Sequence, residues 1–573
     1  MTSIAPSPKC AASLSPSGCG AIVGPGSSIS SRDCWTRRRA STFLCPRTWA
    51  GGQAEGRQVR NDVPEQVAPD AFFGDINQTI DEEGNAPSFS GTNARAWSVT
   101  AGSAESHRSH EGEQILKRFW LGVLAIVIVC GAGFFAYAWK PAIDPVEPPQ
   151  RSSFDPALIE KGAVLASVGN CTSCHTRPGE KSFAGGLAVP TPFGTIYSTN
   201  ITPDPQTGIG RWSQAAFNRA MREGVDREGR HLYPAFPFDH FTRVSDEDNR
   251  ALYAYLMTRQ PVNNRPPPNE LPFPLDVRLV LAGWKLLFFD RGAYQNDASQ
   301  SAQWNRGAYL VDGLGHCGAC HTPRNRFGAE EKGSHMAGGE AEGWTAFALD
   351  GTSPAPIPWT HDSLFAYLRQ GWHADHGVAN GPMGEVTGNL GRLPDADIDA
   401  MATYVMSLMG EPSAERTAAA QAIRGRAAAD PASTAAVVPT SADTPAARGA
   451  VIYQAACATC HDGSRPPPFG GINFHLSSAV NAPDPQNVIN TVLFGLPAAG
   501  GRPSAIMPGF AATLKDDQVN DLLAYLRDAF AGKPAWQDAA ARIADTRSGK
   551  YEVSVRPSDG IERGPDNVGA KDR

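Results

Sequence analysis

The chain has little excess charge of either sign and few of the motifs that enzymes use for side-chain catalysis. Its 573 residues carry 51 Lys and Arg against 58 Asp and Glu, and the net charge of −7 gives no reason to expect nucleic acid as a partner. No glycine-rich nucleotide loop, Ser/His/Asp arrangement or pair of carboxylates stands out in the sequence. We therefore expect no side chain to act as an acid, a base or a nucleophile. The length predicts about three or four domains.

Cysteine pairs are the strongest chemical signal. Six of the eleven cysteines form three Cys-x-x-Cys pairs, and a histidine follows each pair directly, at His175, His321 and His461. On a helix such thiols and the next imidazole lie on one face, so the thiols can add to the vinyl groups of a porphyrin while the histidine binds its iron. A zinc ribbon needs a second pair about 15–20 residues away, and a thioredoxin-like pair needs a βαβ setting; the sequence has neither. The pattern predicts three covalent haem c groups, attached at Cys171, Cys174, Cys317, Cys320, Cys457 and Cys460.

The sixth ligand of each iron is expected to be Met or His. Met383 and Met507 each lie beside Pro and Gly, just before an amphipathic helical pattern, and are predicted to be distal ligands. The matching stretch of the first unit has Phe236, which cannot bind iron, and there His240 is the first choice. A bis-histidine haem would have a lower potential than the other two. The alternatives are His231, Met221 and an open site.

An apolar segment divides the chain. An uncharged stretch from Phe119 to Trp139 follows Lys117 and Arg118, and about twenty apolar residues suffice to cross a membrane. The basic pair places the N-terminus inside and the haem domains outside, on the periplasmic side of an inner membrane. Residues 117–140 are thus a transmembrane anchor, or a signal segment cleaved after Ala138. Residues 1–113 are of low complexity and are interpreted as disordered or as an over-extended start.

A repeat follows the apolar segment and predicts a mainly α fold with three tandem cytochrome c domains. Each repeat opens with a basic residue and Gly-Ala and ends with an amphipathic helix containing a Tyr. The apolar end of the connector, residues 279–289, either packs between the first two domains or docks on a membrane or partner. The predicted divisions are domain 1 at 152–262, a connector at 263–299, domain 2 at 300–410, a flexible Ala/Pro-rich linker at 411–446, domain 3 at 447–535 and a polar tail at 536–573.

Residues from about 155 to 535 resemble the triple-haem cytochrome c subunits of membrane-bound dehydrogenases. The shared text includes 191–204, 207–212, Gly381-Pro382-Met383 and Met507 to Phe510. The resemblance implies an electron-transfer subunit that takes electrons from a catalytic dehydrogenase and passes them to ubiquinone or another respiratory carrier.

The family has branches that serve different partners: quinone-dependent alcohol dehydrogenases, flavin-dependent gluconate or sugar dehydrogenases, and molybdenum hydroxylases acting on nicotinate, isoquinoline or aldehydes. The alcohol branch is expected to carry Met where Phe236 stands. The Phe-Pro-Phe-Asp-His text around Phe236, and residues 480–485, look more like the molybdenum branch. Two other classes remain open: a catalytic cytochrome, peroxidase- or oxidase-like, working at an open first haem, and a structural or zinc-binding exported protein.

Overall fold

The computed structural model describes residues 105–429, 443–462, 467–498, 504–550 and residue 553. The expectations placed on residues 1–104, on 430–442 of the linker and on the end of the tail lie outside these ranges. Within the described residues the fold is mainly helical, as predicted, and each of its three small sheets is a pair of short antiparallel strands.

The first helix, α1, runs over Glu105–Ala138. Its part from Gln114 to Ala138 contains an 18-residue window with a mean hydropathy of 2.4 and is long and apolar enough to cross a membrane. Trp139 follows the last helical residue, and Pro141 cannot continue a helix because its nitrogen has no hydrogen to donate. The structure therefore agrees with the sequence about the place and length of the apolar segment.

Three helical units follow, and in each the first and a late helix cross. The elements of unit one are α2 Pro156–Val168, α3 Cys171–His175, β1 Ala188–Thr191, β2 Gly194–Tyr197, α4 Gln214–Glu223, α5 Phe238–Phe241 and α6 Asp246–Met257. A connecting helix, α7, spans Val280–Phe288. The elements of unit two are α8 Ala302–Tyr309, α9 Gly318–His321, β3 Gly339–Ala341, β4 Trp344–Ala346, α10 His361–Gln370, β5 Trp372–His373, β6 Gly377–Val378, α11 Pro382–Leu390 and α12 Asp395–Met409. After α13, Ala414–Ala429, unit three contains α14 Pro445–Ala456, α15 Ala458–His461, α16 Ser478–Asn481, α17 Gln486–Phe494, α18 Asp516–Ala531 and α19 Ala539–Arg547.

The repeated basic-Gly-Ala text marks the crossing of the two helices. A Cβ atom on Gly162, Gly307 or Gly449 would lie 2.0 Å from a backbone carbonyl oxygen of α6, α12 or α18 respectively. Only glycine permits this approach, because any side chain would force the two helices apart. The crossing positions the chain that leads directly into each Cys-x-x-Cys-His segment.

The neighbouring basic residue fixes the same crossing from its edge. Lys161 bonds Asp248 at 2.8 Å, Arg306 bonds Asp397 at 2.8 Å and Arg448 bonds Asp521 at 2.7 Å. The side chains of the basic partners are 40–48% exposed. Exposed ion pairs contribute little to the free energy of unfolding, so these pairs mainly orient the two helices.

The linker prediction is wrong for residues 414–429, which form α13. Arg416 donates to the carbonyl oxygens of Ser353 and Ala355 in unit two, and Asn473 of unit three donates to Ala427. Its buried Ala420 packs with Ile357 and Leu476, one from each unit. The helix therefore braces units two and three. An alanine-rich sequence is compatible with a helix as well as with a flexible linker, and tertiary contacts decide which of the two forms.

The predicted polar tail also begins too early. Trp536 and Ile543 are buried in the core of unit three, and the indole of Trp536 donates to the carbonyl oxygen of Ala482 at 3.1 Å. Unit three therefore extends through α19, to Arg547 rather than to residue 535.

Candidate functional site

The three motif histidines have the same backbone arrangement. The Nδ1 atoms of His175, His321 and His461 lie 2.6, 2.6 and 3.1 Å from the carbonyl oxygens of Thr199, Phe347 and Ile472. A neutral imidazole that donates from Nδ1 keeps Nε2 as its metal-binding nitrogen. Burial lowers the pKa of all three imidazoles, which favours this neutral form. Each histidine is thus oriented for one axial bond.

The six motif cysteines are free thiols in three pairs, with no disulfide within any pair. Burial raises the pKa of Cys171 and Cys317 to about 12, and that of Cys320 and Cys457 to about 11. Burial therefore favours the protonated thiol over the thiolate at these positions. The donor set of each motif, two thiols and one imidazole on a short helix, fits covalent porphyrin attachment.

Units two and three surround one continuous cavity of about 890 Å³. It contains both motifs and both predicted methionine ligands, so the structure brings Met383 and Met507 to the same space as their histidines. The residues concerned are Cys317, Cys320, His321, Met383, Cys457, Cys460, His461 and Met507. Much of the remaining lining is apolar, including Trp344, Leu390 and Phe510, as a buried porphyrin face requires.

Met383 and Met507 are positioned by their local backbone. Pro382 occupies the first turn of α11, where its missing N–H costs nothing, and Met383 follows it. Met507 exchanges two backbone hydrogen bonds with Leu496, at 2.9 and 3.1 Å. The backbone at both methionines is therefore held in place by secondary structure or by hydrogen bonds.

His376 is a buried residue at this cavity whose side chain makes no hydrogen bond among the described residues. Its ring is stacked on Trp359 at 3.5 Å, it is 7% exposed, and neither ring nitrogen has a hydrogen-bond partner among the described residues. Burial lowers its pKa to about 3. An unpaired buried imidazole is costly, and a porphyrin carboxylate is a partner that would satisfy it. No sequence motif pointed to this residue.

The wall between units two and three is formed by strand β4 and helix α17. Asn487 accepts from the backbone N–H of Thr345 at 2.9 Å and donates to its carbonyl oxygen at 2.8 Å. Asn490, which is fully buried, donates to the carbonyl oxygen of Gly343 at 2.8 Å. Side-chain amides thus extend the small sheet of unit two into unit three and make the cavity continuous.

His240 is not positioned for the first haem, contrary to the expectation. Its Nδ1 lies 2.9 Å from the carbonyl oxygen of Asp312 and its Nε2 lies 2.7 Å from the carboxylate of Glu330, both in unit two. The ring is buried against Gly318, within the second motif. Both nitrogens are therefore engaged in joining units one and two. The sequence placed His240 in the stretch of unit one that matches the methionine-bearing stretches of units two and three, but only the packing of units one and two shows which way the ring turns.

The other two candidates differ from each other. His231 has Nε2 at 2.7 Å from the carbonyl oxygen of Ala138 and Nδ1 at 3.1 Å from Lys285, so it too is engaged. Met221, on α4, is buried in the same core that Cys171 and Phe236 pack against, and its sulfur makes no hydrogen bond among the described residues.

The first motif lies beside unit two. Asn170, which precedes Cys171, lines the large cavity and accepts a 2.9 Å hydrogen bond from Asn389 of α11, the helix that carries Met383. Asn389 is fully buried. This contact, which sequence patterns did not reveal, places the three motifs in a row with unit two in the centre.

Comparisons with known proteins identify cytochrome c sequences in the chain. Residues 159–260 match the cytochrome c family, and residues 444–526 match the family described as subunit III of cbb3-type cytochrome c oxidase. Both matches contain a complete Cys-x-x-Cys-His motif. They support covalently bound haem c.

Similar proteins are subunits of dehydrogenases. The chain is 48% identical over 438 residues to a subunit of nicotinate dehydrogenase from Pseudomonas putida, covering 75% of this chain but 36% of that longer protein. It is 40% identical over 410 residues to the gluconate 2-dehydrogenase cytochrome c subunit of Pantoea cypripedii, covering 68% of this chain and 90% of that one. It is 35% identical over 430 residues to the fructose dehydrogenase cytochrome subunit of Gluconobacter japonicus, covering 72% and 87%. Because the chain aligns with most of the length of the gluconate and fructose dehydrogenase subunits, it belongs to the family of cytochrome c subunits of dehydrogenases.

Proposed function

We propose that this chain carries three haem c groups, one in each of three tandem cytochrome c domains, and transfers electrons from a partner dehydrogenase to ubiquinone or another respiratory carrier. The observation that carries the proposal is the threefold motif geometry, in which each histidine has its Nδ1 on a backbone carbonyl and its Nε2 left for iron. Haem supplies the redox chemistry, and the chain binds, orients and shields it.

The distal ligands of the second and third haems are Met383 and Met507, which line the cavity with their histidines. For the first haem we now assign Met221 in place of His240, because Met221 alone of the three candidates has its donor atom uncommitted. All three haems would then be of the His/Met type. A low-potential bis-histidine first haem is therefore no longer expected.

The route of electrons runs along the chain of units. The contact between Asn170 and Asn389 supports transfer between the first two haems, and the common cavity supports transfer between the second and third. Phe241 packs at 5.2 Å from Phe236 and 5.5 Å from His316, which adds an aromatic link from unit one to the cavity. The second haem is the central relay.

The partner is proposed to be a molybdenum hydroxylase rather than an alcohol or sugar dehydrogenase. The likeness to a nicotinate dehydrogenase subunit and the Phe236 text support this branch. We further propose that α1 anchors the chain in the inner membrane with the haem units on the periplasmic side; its hydropathy and length support this.

Spectroscopy of the full chain tests the proposal. We expect intact mass to show three haem additions and electron paramagnetic resonance to show three low-spin ferric haems. Met221→Ala should convert one of them to the high-spin state. Met257→Ala removes another methionine buried in the same core and should leave all three low-spin.

The outcomes separate the alternatives. A bare polypeptide would refute the haem assignment. One high-spin haem in the unaltered protein, with turnover of peroxide by the chain alone, would favour a catalytic cytochrome. Three unchanged low-spin signals in Met221→Ala would refute the Met221 assignment only.

A further inference from the structure

Exposed apolar side chains concentrate around α7. Beyond Trp139 the described residues carry eleven large hydrophobic side chains that are exposed, and six of them fall between residues 273 and 287. Phe273 is 81% exposed, Leu286 63% and Leu287 71%. A cluster of this kind is unusual on a surface that faces only water.

The opposite face of α7 is fastened to unit one through a buried lysine. The ammonium of Lys285 donates to the carbonyl oxygens of Glu223 and Gly224, both at 2.6 Å, at the C-terminal end of α4. Cations are favourable at this end of a helix because its carbonyl groups lack partners. Lys285 is 5% exposed, whereas its neighbours Leu286 and Leu287 project outward. The helix is therefore amphipathic, and its contacts with unit one turn its apolar face away from the protein.

The same lysine connects α7 to the end of α1. The third donor of Lys285 meets Nδ1 of His231 at 3.1 Å, and Nε2 of that imidazole meets the carbonyl oxygen of Ala138, the last residue of α1, at 2.7 Å. Phe134 of α1 also lies beside Gly283 of α7, within 3.9 Å of a Cβ atom built there. The outward face of α7 thus adjoins the place where the apolar helix ends.

The residues that follow α1 strengthen this link. Arg219 of α4 donates to the carbonyl oxygen of Pro141 at 2.7 Å, and the backbone N–H of Ile143 donates to the carbonyl oxygen of Arg227 at 2.8 Å. The end of α1 is therefore bound to unit one and does not hang from a free linker. Its direction determines which surface of unit one meets a membrane.

We propose that α7 and the preceding turn from Phe273 form a membrane-docking surface that inserts into the lipid head-group region beside α1. The proposal rests on the function proposed for α1 as an anchor. Lipid is the occupant because this apolar surface is continuous with an apolar helix of membrane-spanning length. Amphipathic helices bind membranes in this orientation, with the apolar face directed to the acyl chains. Trp139, 59% exposed, and Lys140, whose Nζ is 5.2 Å from the Tyr137 ring centre, suit the same interface.

Docking would bring the second motif close to the lipid surface. The indole of Trp284 in α7 donates to the carbonyl oxygen of Phe327 at 3.0 Å, and Phe288 packs against the Phe327 ring at 5.7 Å. Phe327 lies six residues after His321 and is itself 50% exposed. A docked α7 would therefore orient unit two, and not only unit one, toward a lipid-soluble electron acceptor.

Photo-crosslinking of the full chain in vesicles of phosphatidylethanolamine and phosphatidylglycerol tests the proposal. Benzoylphenylalanine replaces Leu287 in one variant and Val451 in the matched control, an apolar side chain that is 54% exposed on α14 of unit three. A third variant carries the probe at Leu124 of α1. Unchanged haem absorption shows that each variant is folded. After irradiation, mass spectrometry should find lipid adducts at position 287 with a yield at least about tenfold above that at 451.

The three positions separate the possible failures. Lipid adducts at 124 with equal yields at 287 and 451 would overturn the docking surface and leave the anchor intact. Absence of lipid adducts at 124 as well would overturn both the anchor and the surface that depends on it. A protein adduct in place of lipid at 287 would also overturn the proposal, because it would identify the face as a protein interface.

Discussion

The crossing of α8 and α12 offers a sharp test of how the chain positions its second Cys-x-x-Cys-His motif. An alanine at Gly307 would place Cβ 2.0 Å from the carbonyl oxygen of Ala400, whereas ordinary contacts begin at 3.4 Å. The two helices would have to separate by roughly 1.4 Å, the difference between these values. Overpacking a core costs about 1–3 kcal/mol, and the upper end applies because the obstacle is backbone. Since alanine gains about 1 kcal/mol over glycine in a helix, we expect Gly307→Ala to lose about 2 kcal/mol of unfolding free energy.

Gly425→Ala is the matched control. Gly425 also lies inside a helix, α13, but a Cβ atom there would meet nothing within 4 Å. This variant should gain about 0.5–1 kcal/mol through helix propensity alone. Urea unfolding of the full chain in detergent, followed by far-ultraviolet circular dichroism, measures both changes.

A second readout connects stability to function. Separation of α8 from α12 would shift the segment that leads to Cys317 and His321, so the charge-transfer band of one methionine-ligated ferric haem should weaken in Gly307→Ala. If Gly307→Ala unfolds at the same urea concentration as Gly425→Ala, the two helices do not approach as described, and the reasoning fails.

Three further outcomes follow from buried polar groups. Burial alone would lower the pKa of His240, but its hydrogen bond with Glu330 raises it, and the same bond lowers the pKa of Glu330. The stabilisation from this pair is therefore lost as the pH rises through the His240 pKa. It is also lost as the pH falls through the Glu330 pKa. Glu330→Gln should then destabilise the chain by about 2 kcal/mol in weakly acidic solution and by less at alkaline pH, and equal losses at pH 5.5 and pH 9 in urea unfolding would contradict the ion pair. Lys285→Met should lower the unfolding free energy by about 3 kcal/mol, because two buried carbonyl groups lose their donor; an unchanged thermal midpoint would contradict it. His376→Leu should lower the midpoint potential of one haem in a redox titration while all haems remain low-spin, since a porphyrin carboxylate would lose its donor; three unchanged potentials would refute that role.

Much of the candidate site could be predicted from short stretches of sequence. The spacing of Cys-x-x-Cys-His identifies thiols and imidazole that share one helix face, and this is a property of three to five consecutive residues. The basic-Gly-Ala repeat marked the helix crossings for the same reason, since the glycine is needed at a contact that recurs in each unit. The apolar length of α1 likewise needs no tertiary context.

Other expectations failed where distant residues compete for one group. His240 had a suitable position in the sequence, but Asp312 and Glu330, 72 and 90 residues away, engage both its ring nitrogens. The composition of residues 414–429 predicted a linker. In the structure they form a helix that contacts both neighbouring units. Trp536 and Ile543 looked like part of a tail until the core of unit three enclosed them.

The sequence by itself determined the three places where we propose that haem attaches, the histidines proposed to bind iron and the position of an apolar helix, because each depends on chemistry within a few residues. Only the tertiary structure decided that units two and three share one cavity, that Met221 rather than His240 has an uncommitted donor, and that α7 turns its leucines outward beside α1. The physical reason is that hydrogen bonds and burial are assigned by competition among all neighbours in space, and a linear pattern does not contain those neighbours.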